Sequence, residues 1–278
     1  MIELKNVSKI NKDNNMVTVG LRNVNLKLNK GELVAITGDS GSGKSTLLNV
    51  ISLIDSYDEG EILFYGNETF YFNQNDSDTF RKDNVSLIFQ KYNIIDSYTV
   101  LQNVMLPLFI NGESEESAKG KATEIIKRVG LEHRINNKGT KLSGGEKLRC
   151  VIARALAKDT PILACDEPTG NLDSKTSKEI IDLIKEVSKD KLVLIVTHDY
   201  ESIKDICTRK IKLSDGEIVE DVTFSEGEQE DNKELVLESK APLKKTLFKL
   251  AISNILSTPK KTILSVMVLM FVSCVLML

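Results

Sequence analysis

A chain of 278 residues, 41% of them hydrophobic, is long enough to bury a sizeable core. Its formal net charge of −3 gives no overall basic footprint and argues against nucleic acid as a partner. The four cysteines, Cys150, Cys165, Cys207 and Cys274, have neither metal-ligand spacing nor a disulfide framework, and read as reduced, buried small hydrophobes.

The N-terminus, Met1-Ile2-Glu3-Leu4-Lys5-Asn6, is strand-like and lacks an apolar secretory core, so the expectation is no signal peptide and a cytoplasmic chain. Next, Leu33-Val34-Ala35-Ile36 reads as a buried strand and Thr46-Leu47-Leu48-Asn49-Val50-Ile51 as a helix. Between them lies Gly38-Asp39-Ser40-Gly41-Ser42-Gly43-Lys44-Ser45, which fits Gly-x-x-x-x-Gly-Lys-Ser/Thr. Glycines let several backbone N–H groups turn toward one anion, and the helix N-terminus adds partial positive charge. Lys44 then suits the β- and γ-phosphates, and the Ser45 hydroxyl suits Mg²⁺, a hard cation that prefers oxygen. An ordinary Gly/Ser-rich turn is the bland alternative, and the strand and helix on either side disfavour it.

After Gln90 a helical segment runs to about Gly139. Tyr98-Thr99-Val100-Leu101-Gln102-Asn103-Val104 starts one helix, and residues 117–129 form an amphipathic one. Leu142-Ser143-Gly144-Gly145-Glu146 then opens a further helix, with Ser143 as N-cap and Glu146 three residues on. Spacing alone leaves two readings: a capping box with glycines, or a second anion site made of exposed amides.

Pro161-Ile162-Leu163-Ala164-Cys165 reads as another buried strand that delivers Asp166 and Glu167 to its carboxyl end, where ligands of open α/β sheets gather. Asp166 has the chemistry to hold the Mg²⁺ shell and Glu167 to polarise an attacking water. Leu192-Val193-Leu194-Ile195-Val196 is a third such strand. It ends in Thr197-His198-Asp199, so His198 is a candidate donor to a γ-phosphate, whereas His133 sits in a polar segment and is given no role.

From Glu220 to Glu234 the chain is acidic and poor in large apolar residues, as a solvated linker would be. Beyond it, residues 244–256 are amphipathic, with Leu243, Leu247, Leu250, Ala251 and Asn254 along one helical face, a pattern suited to a membrane surface. Pro259-Lys260-Lys261 follows, and Thr262 to Leu278 carries no charge. A helix spanning the hydrocarbon needs about 20 apolar residues, so this stretch is expected to be a membrane helix cut off at its end, in contact with lipid bilayer. The lysines before it favour a cytoplasmic N-terminal side.

Taken together, these residues resemble the ATP-binding subunit of an ABC transporter over residues 1 to about 220. The resemblance implies that Gly38, Ser40, Gly41, Ser42, Gly43, Lys44, Ser45 and Thr46 belong to the Walker A loop, with ATP and Mg²⁺ as ligands. It makes Gln90 the Q-loop glutamine, able to touch Mg²⁺ and take part in catalysis. Ser143-Gly144-Gly145 becomes the signature, Asp166 the Walker B aspartate and Glu167 the catalytic base. Asn171-Leu172-Asp173 becomes the D-loop, with Asp173 at the nucleotide, and His198 the switch histidine. In that family two domains lie head to tail, each ATP held between the Walker A loop of one and the signature of the other. A homodimer or a paired ATPase subunit is therefore expected, and no nucleic acid.

Two positions depart from the family pattern. Glu146 stands where many members have Gln, and Ile10-Asn11 follows Val7-Ser8-Lys9 where an adenine-stacking aromatic is expected. The second departure weakens the expected base stacking, a contact worth about 1–3 kcal/mol in comparable sites.

The implied fold class is α/β, a phosphate-loop NTPase of ABC type with a mixed sheet core and a helical subdomain at about 91–160. The implied divisions are 1–220 for the ATP-binding domain, 221–240 for the acidic linker, 241–261 for an amphipathic juxtamembrane segment and 262–278 for a first transmembrane helix. An ATPase followed by Ala251-Ile252-Ser253-Asn254-Ile255 and a membrane helix, together with Thr169-Gly170-Asn171-Leu172-Asp173, resembles MacB-type fusions to an FtsX-like permease half. That implies a fused membrane partner, a place at the cell membrane, and relatives that export macrolides or peptides, release lipoproteins or confer antimicrobial-peptide resistance. A signalling or cell-wall regulatory complex driven by the same ATPase is the alternative. A soluble ATPase of translation or DNA repair would need tandem cassettes or a long coiled-coil insert, and neither is present in the sequence.

Overall fold

The computed structural model describes residues 1–13, 16–187 and 190–225, together with the single residues Ile252 and Met267. Two sheets organise the described chain. The first is antiparallel, in the order β2-β1-β4-β5, formed by β1 (Ile2–Asp13), β2 (Met16–Leu28), β4 (Glu59–Phe64) and β5 (Asn67–Glu68). The second has six strands in the order β10-β9-β3-β8-β7-β6. In it β3 (Leu33–Gly38), β6 (Val85–Ile88), β7 (Ile162–Asp166), β8 (Leu192–Val196) and β9 (Arg209–Ser214) run parallel, and β10 (Glu217–Thr223) returns antiparallel to β9.

The parallel strands are apolar on both faces because both faces are covered. Val34, Ile36, Ala164, Leu194 and Val196 point into a core shared with α1 (Lys44–Ile51), Ile2, Leu21 and Phe64 of the first sheet, and Phe80 of α2 (Gln74–Asn84). The intervening Ala35, Leu163, Cys165, Val193 and Ile195 point the opposite way. They meet α5 (Gly144–Lys158) and α6 (Ser174–Val187), with α3 (Val100–Ile110) and α4 (Glu115–Arg128) packed beyond.

Helix starts follow local chemistry. Thr99 and Gln102 form a reciprocal capping box on α3, as Asn73 and Asp76 do on α2, each satisfying two orphan N–H groups. Cys150, Cys165 and Cys207 are buried and unpaired, and burial pushes the thiols of Cys150 and Cys207 up to about 12, so neither is a thiolate at neutral pH. Cys274 lies outside the described residues.

Pairing continues past residue 220: β10 runs to Thr223, Asp221 binds the Arg209 guanidinium through both oxygens, and the Phe224 and Ser225 N–H groups reach Thr208 O. That two-pronged ion pair keeps an acidic strand on the sheet. Among the described residues no helix is long and apolar enough to cross a membrane. The expected juxtamembrane and membrane segments, 241–261 and 262–278, lie outside the described residues except for Ile252 and Met267.

Candidate functional site

In the order β3-β8-β7 the three central strands end side by side, and each carboxyl end carries one part of the site. The glycine loop follows β3, Asp166 and Glu167 close β7, and Thr197-His198 follows β8. Two loop glycines are dictated by close approach. A Cβ at Gly43 (φ 101°) would overlap the Gly20 carbonyl oxygen, and one at Gly38 (φ 141°) would overlap Leu213 O. The β9–β10 turn braces the loop from behind, with Gly216 N–H donating to Ser42 O (3.1 Å).

Lys44 is buried, and its ammonium donates to Gly38 O (2.9 Å) and Asp39 O (2.7 Å), folded back over the loop it terminates. Ser40, Gly41 and Ser45 are exposed, Thr46 is half-buried, and Ser42 is buried with its hydroxyl unpartnered. Ser45 Oγ donates to Asp166 Oδ1 at 3.3 Å. Burial raises the Asp166 carboxyl pKa; the neighbouring Glu167 adds to this, and Ser45 and Lys44 oppose it.

Glu167 is the most constrained member. Its backbone is left-handed (φ 45°), fixed by its N–H donating to Val196 O (2.9 Å). Such a backbone costs a non-glycine residue about 1 kcal/mol or more and is typical of functional sites. The carboxylate is held from two sides, with Gln90 Nε2 donating to Oε2 (3.0 Å) and His198 Nδ1 lying 3.2 Å from Oε1. Residues 77 and 31 positions away in sequence thus meet on one carboxylate.

Ser143, Gly144, Gly145 and Asp173 form a second group. Ser143 Oγ accepts from Glu146 N–H, and the Glu146 carboxylate accepts from Ser143 N–H (2.8 Å), so the capping box is real. Its consequence is that Ser143 N–H is used within the chain, leaving the Gly144 and Gly145 amides at the helix start. Asp173 caps α6, accepting from Lys175 N–H, Thr176 N–H and Thr176 Oγ1. The bonds from Thr176 hold its carboxyl below the usual range. The two groups meet where a Cβ on Gly145 would lie 2.6 Å from Thr176 Cγ2 and one on Gly144 3.4 Å from Leu172 Cδ2.

Three features escaped the sequence reading. Arg134 Nε donates to Glu146 Oε1 (2.7 Å), and His133 lies 3.6 Å from the same oxygen. Thr176, on α6 and far from Gly145 in sequence but adjacent in space, fixes the size allowed at position 145. Only the Asp173-x-x-Thr176 spacing carried a local signal, that of a cap. At the base end, Asn11 is half-buried, and a Cβ on Gly20 would lie 2.8 Å from its Nδ2 and 2.9 Å from Thr46 Cγ2, so its carboxamide stands beside the residue after Ser45.

Residues 21–170 match the ABC transporter family. The chain belongs to that family. It is similar to the ABC transporter ATP-binding protein MJ1508 of Methanocaldococcus jannaschii, 41% identical over 221 residues that cover 79% of this chain and 98% of the relative. It is 36% identical to the macrolide export ATP-binding/permease protein MacB of Pasteurella multocida, over 80% of this chain and 34% of MacB. Among solved structures it resembles the cassette MJ0796 of Methanocaldococcus jannaschii, captured as a dimer and also as a dimeric post-hydrolysis state with ADP and Pi. The dimer structure is 40% identical with a TM-score of 0.75, covering 81% of this chain and all of that one. This member of the ABC transporter family is an α/β cassette and an ATPase.

Proposed function

We propose that the chain is the cytoplasmic motor of a membrane exporter or extractor, two copies of which close head to tail on two ATP. The observation that carries the reading is the Gln90–Glu167–His198 cluster at the ends of β7 and β8, next to the Ser45–Asp166 pair. The second support is a separation. Among the described residues no hydrogen bond or ion pair joins this cluster to Ser143, Gly144, Gly145 or Asp173, so the signature amides are free to serve a nucleotide held by another copy. The likeness to the dimeric MJ0796 cassette supports the same arrangement.

The donors fit Mg²⁺. Ser45 Oγ and Asp166 Oδ1 already face each other, and Gln90, whose amide nitrogen is spent on Glu167, keeps its amide oxygen for a cation. One carboxylate, a hydroxyl and an amide oxygen suit an ion that takes its other ligands from phosphates and water. A bound ion there would supply positive charge to offset that of the phosphates.

Lys44 exchanges the Gly38 and Asp39 carbonyls for phosphate oxygens. Glu167 accepts a proton from water as the water oxygen attacks the γ-phosphorus; the bond from phosphorus to the β–γ bridging oxygen breaks, leaving ADP and inorganic phosphate. His198, on the other carboxylate oxygen, orients Glu167 and leaves its second ring nitrogen for the γ-phosphoryl group. Asp173 and the signature amides close the site from the second copy.

Residues 1–220 make up the cassette in this reading, extended by the end of β10 and its bonds to Thr208 as far as Ser225, with 91–160 as its helical subdomain and the rest of 221–240 as the linker. Residues 241–261 lead to a membrane helix at 262–278 that begins an FtsX/MacB-like permease half, with peptide, drug or lipoprotein as cargo. The shared site is tested by light scattering on the cassette carrying Glu167→Gln, with and without Mg-ATP. A doubling of mass on ATP is expected. A monomer that binds ATP and stays a monomer overturns the head-to-tail arrangement.

A further inference from the structure

The turn that carries Gln90 is strained in a way its own bonds do not explain. Tyr92 N–H donates to Phe89 O (2.9 Å), closing a turn over Gln90 and Lys91, and Asn93 N–H reaches Lys91 O. Tyr92 and Asn93 are then both left-handed, with φ of 46° and 47°. Two such residues in succession, neither of them glycine, persist only where the surroundings hold them. Gln90, Lys91 and Asn93 are exposed, so within this turn the hold comes through Tyr92, which is half-buried and packs against the core.

A side chain of α5 grips it. Arg154 Nη2 donates to Tyr92 O (3.4 Å), the one hydrogen bond of Arg154 among the described residues, where no carboxylate pairs with it. Arg154 also lines a cavity of about 410 Å³ with Arg81, Lys82 and Lys158, and the acid in that lining, Asp78, is taken by Arg81. Burial disfavours the charged guanidinium, and the neighbouring cations offer no relief. A leucine or methionine would fill the same place without that cost, so packing does not account for an arginine here.

We infer that Arg154 is a positioning residue for ATP hydrolysis: by holding the Tyr92 carbonyl it keeps the left-handed turn in place, and so sets where Gln90 stands against Glu167. Gln90 lies two residues from the held carbonyl, and its Nε2 donates to Glu167 Oε2 at 3.0 Å, so a slackened turn lets the amide leave the carboxylate. A guanidinium suits the task because it keeps its proton even where burial disfavours the charge. The inference rests on the reading of Glu167 as the base. Because α5 also opens on Gly144 and Gly145, about 15 Å back along its axis, one helix then serves the base of its own site and the amides offered to the other copy's nucleotide.

The test measures steady-state ATP hydrolysis and ATP binding on the full 278-residue chain carrying Arg154→Met, Gln90→Ala, or both. Arg154→Met should lower kcat about tenfold while KM for ATP stays within about twofold, since the contact acts on the base and not on the phosphate loop. In the Gln90→Ala background the same change should cost less than about twofold, because its route to Glu167 is already cut. Equal losses with and without Gln90, a loss of ATP binding in place of kcat, or an unchanged kcat each overturn the inference. Arg154→Lys keeps a cation in the core with one amine for the forked guanidinium, and runs the same cycle if the methionine variant does not fold. A loss of about threefold that vanishes with Gln90→Ala is then expected, and a loss that persists there rejects the route through Gln90. Glu167→Gln in the same assay separates the two claims. If it leaves kcat unchanged, the base assignment falls and takes this inference with it, whereas kcat lost there and kept in Arg154→Met sinks the inference alone.

Discussion

The phosphate-side cluster and the signature-side group are built on opposite plans. Around Glu167, at the end of β7, the chain brings Gln90 from beyond β6 and His198 from beyond β8 onto one carboxylate, with the backbone forced into a left-handed conformation. Around Ser143 nearly every bond is made within three residues, by a helix cap and its reciprocal partner. The first is a strained tertiary arrangement held by the sheet. The second is a relaxed local motif whose remaining amides need only face outward. Breaking either side should therefore look different: loss of turnover in the first, loss of closure in the second.

The largest effect belongs to Glu167→Gln. Removing the base while keeping shape and the Gln90 contact should lower the ATPase rate by about 10²–10⁴-fold, with ATP affinity retained. Single-turnover hydrolysis and nucleotide binding on one preparation check it, and an unchanged rate removes Glu167 from the base role.

Next comes Gly145→Ala. Helix propensity alone would favour alanine by about 1 kcal/mol. Its Cβ, however, meets Thr176 Cγ2 at 2.6 Å, and overpacking of this kind costs about 1–3 kcal/mol. The clash wins, because Thr176 is pinned by Asp173 and cannot swing away. A roughly tenfold fall in ATPase with unchanged ATP binding by the single cassette is expected. Thr176→Ser, which deletes the clashing methyl and keeps the hydroxyl bonded to Asp173, should restore most of it. Failure of that rescue would mean that the glycine is needed for the nucleotide itself and not for packing against α6.

These two cases also separate what the sequence could disclose from what it could not. The parallel strands β3, β7 and β8 were legible because both faces are buried, which leaves unbroken apolar runs ending in chemistry: Lys44, Asp166, Glu167, His198. The cap at Ser143 was legible because its partners are three residues apart. By contrast, the antiparallel sheet of β1, β2, β4 and β5 left only a faint trace, since its strands carry many polar residues and β1 pairs with β4 across the intervening β2, β3 and α1. The Gly145–Thr176 and Glu146–Arg134 contacts left none. They join surface residues of ordinary type, and nothing in one dimension marks which surface residue will face which.

The base end of the nucleotide site offers a smaller effect. Asn11 stands beside Thr46 where an aromatic ring would present a stacking face. Asn11→Tyr should tighten ATP binding by about 1 kcal/mol, or roughly fivefold, at the low end of base-stacking energies. Titration of ATP and GTP against both chains checks it. No gain would place the base elsewhere along the loop.

The smallest effect probes the signature side by charge. Burial alone would raise the Glu146 carboxyl, but the Ser143 N–H, the Arg134 guanidinium and the Ser143 hydroxyl together hold it below the ordinary carboxylate range. A lowered folded value means that the unfolded chain binds the proton more readily. The pair's contribution is therefore complete above the unfolded value, near pH 4.3, and is lost as pH falls through the lowered folded value. Glu146→Gln keeps the reach to Ser143 N–H and discards the charge. It should cost about 1 kcal/mol at neutral pH, the scale of one hydrogen bond to a partly exposed ion, and nothing once the acid is protonated. Melting curves of both chains should then run parallel at neutral pH, offset by a few degrees, and converge on the acid side. Curves that keep their spacing into acid would show that Glu146 supports the signature by shape alone, and that Arg134 is a bystander.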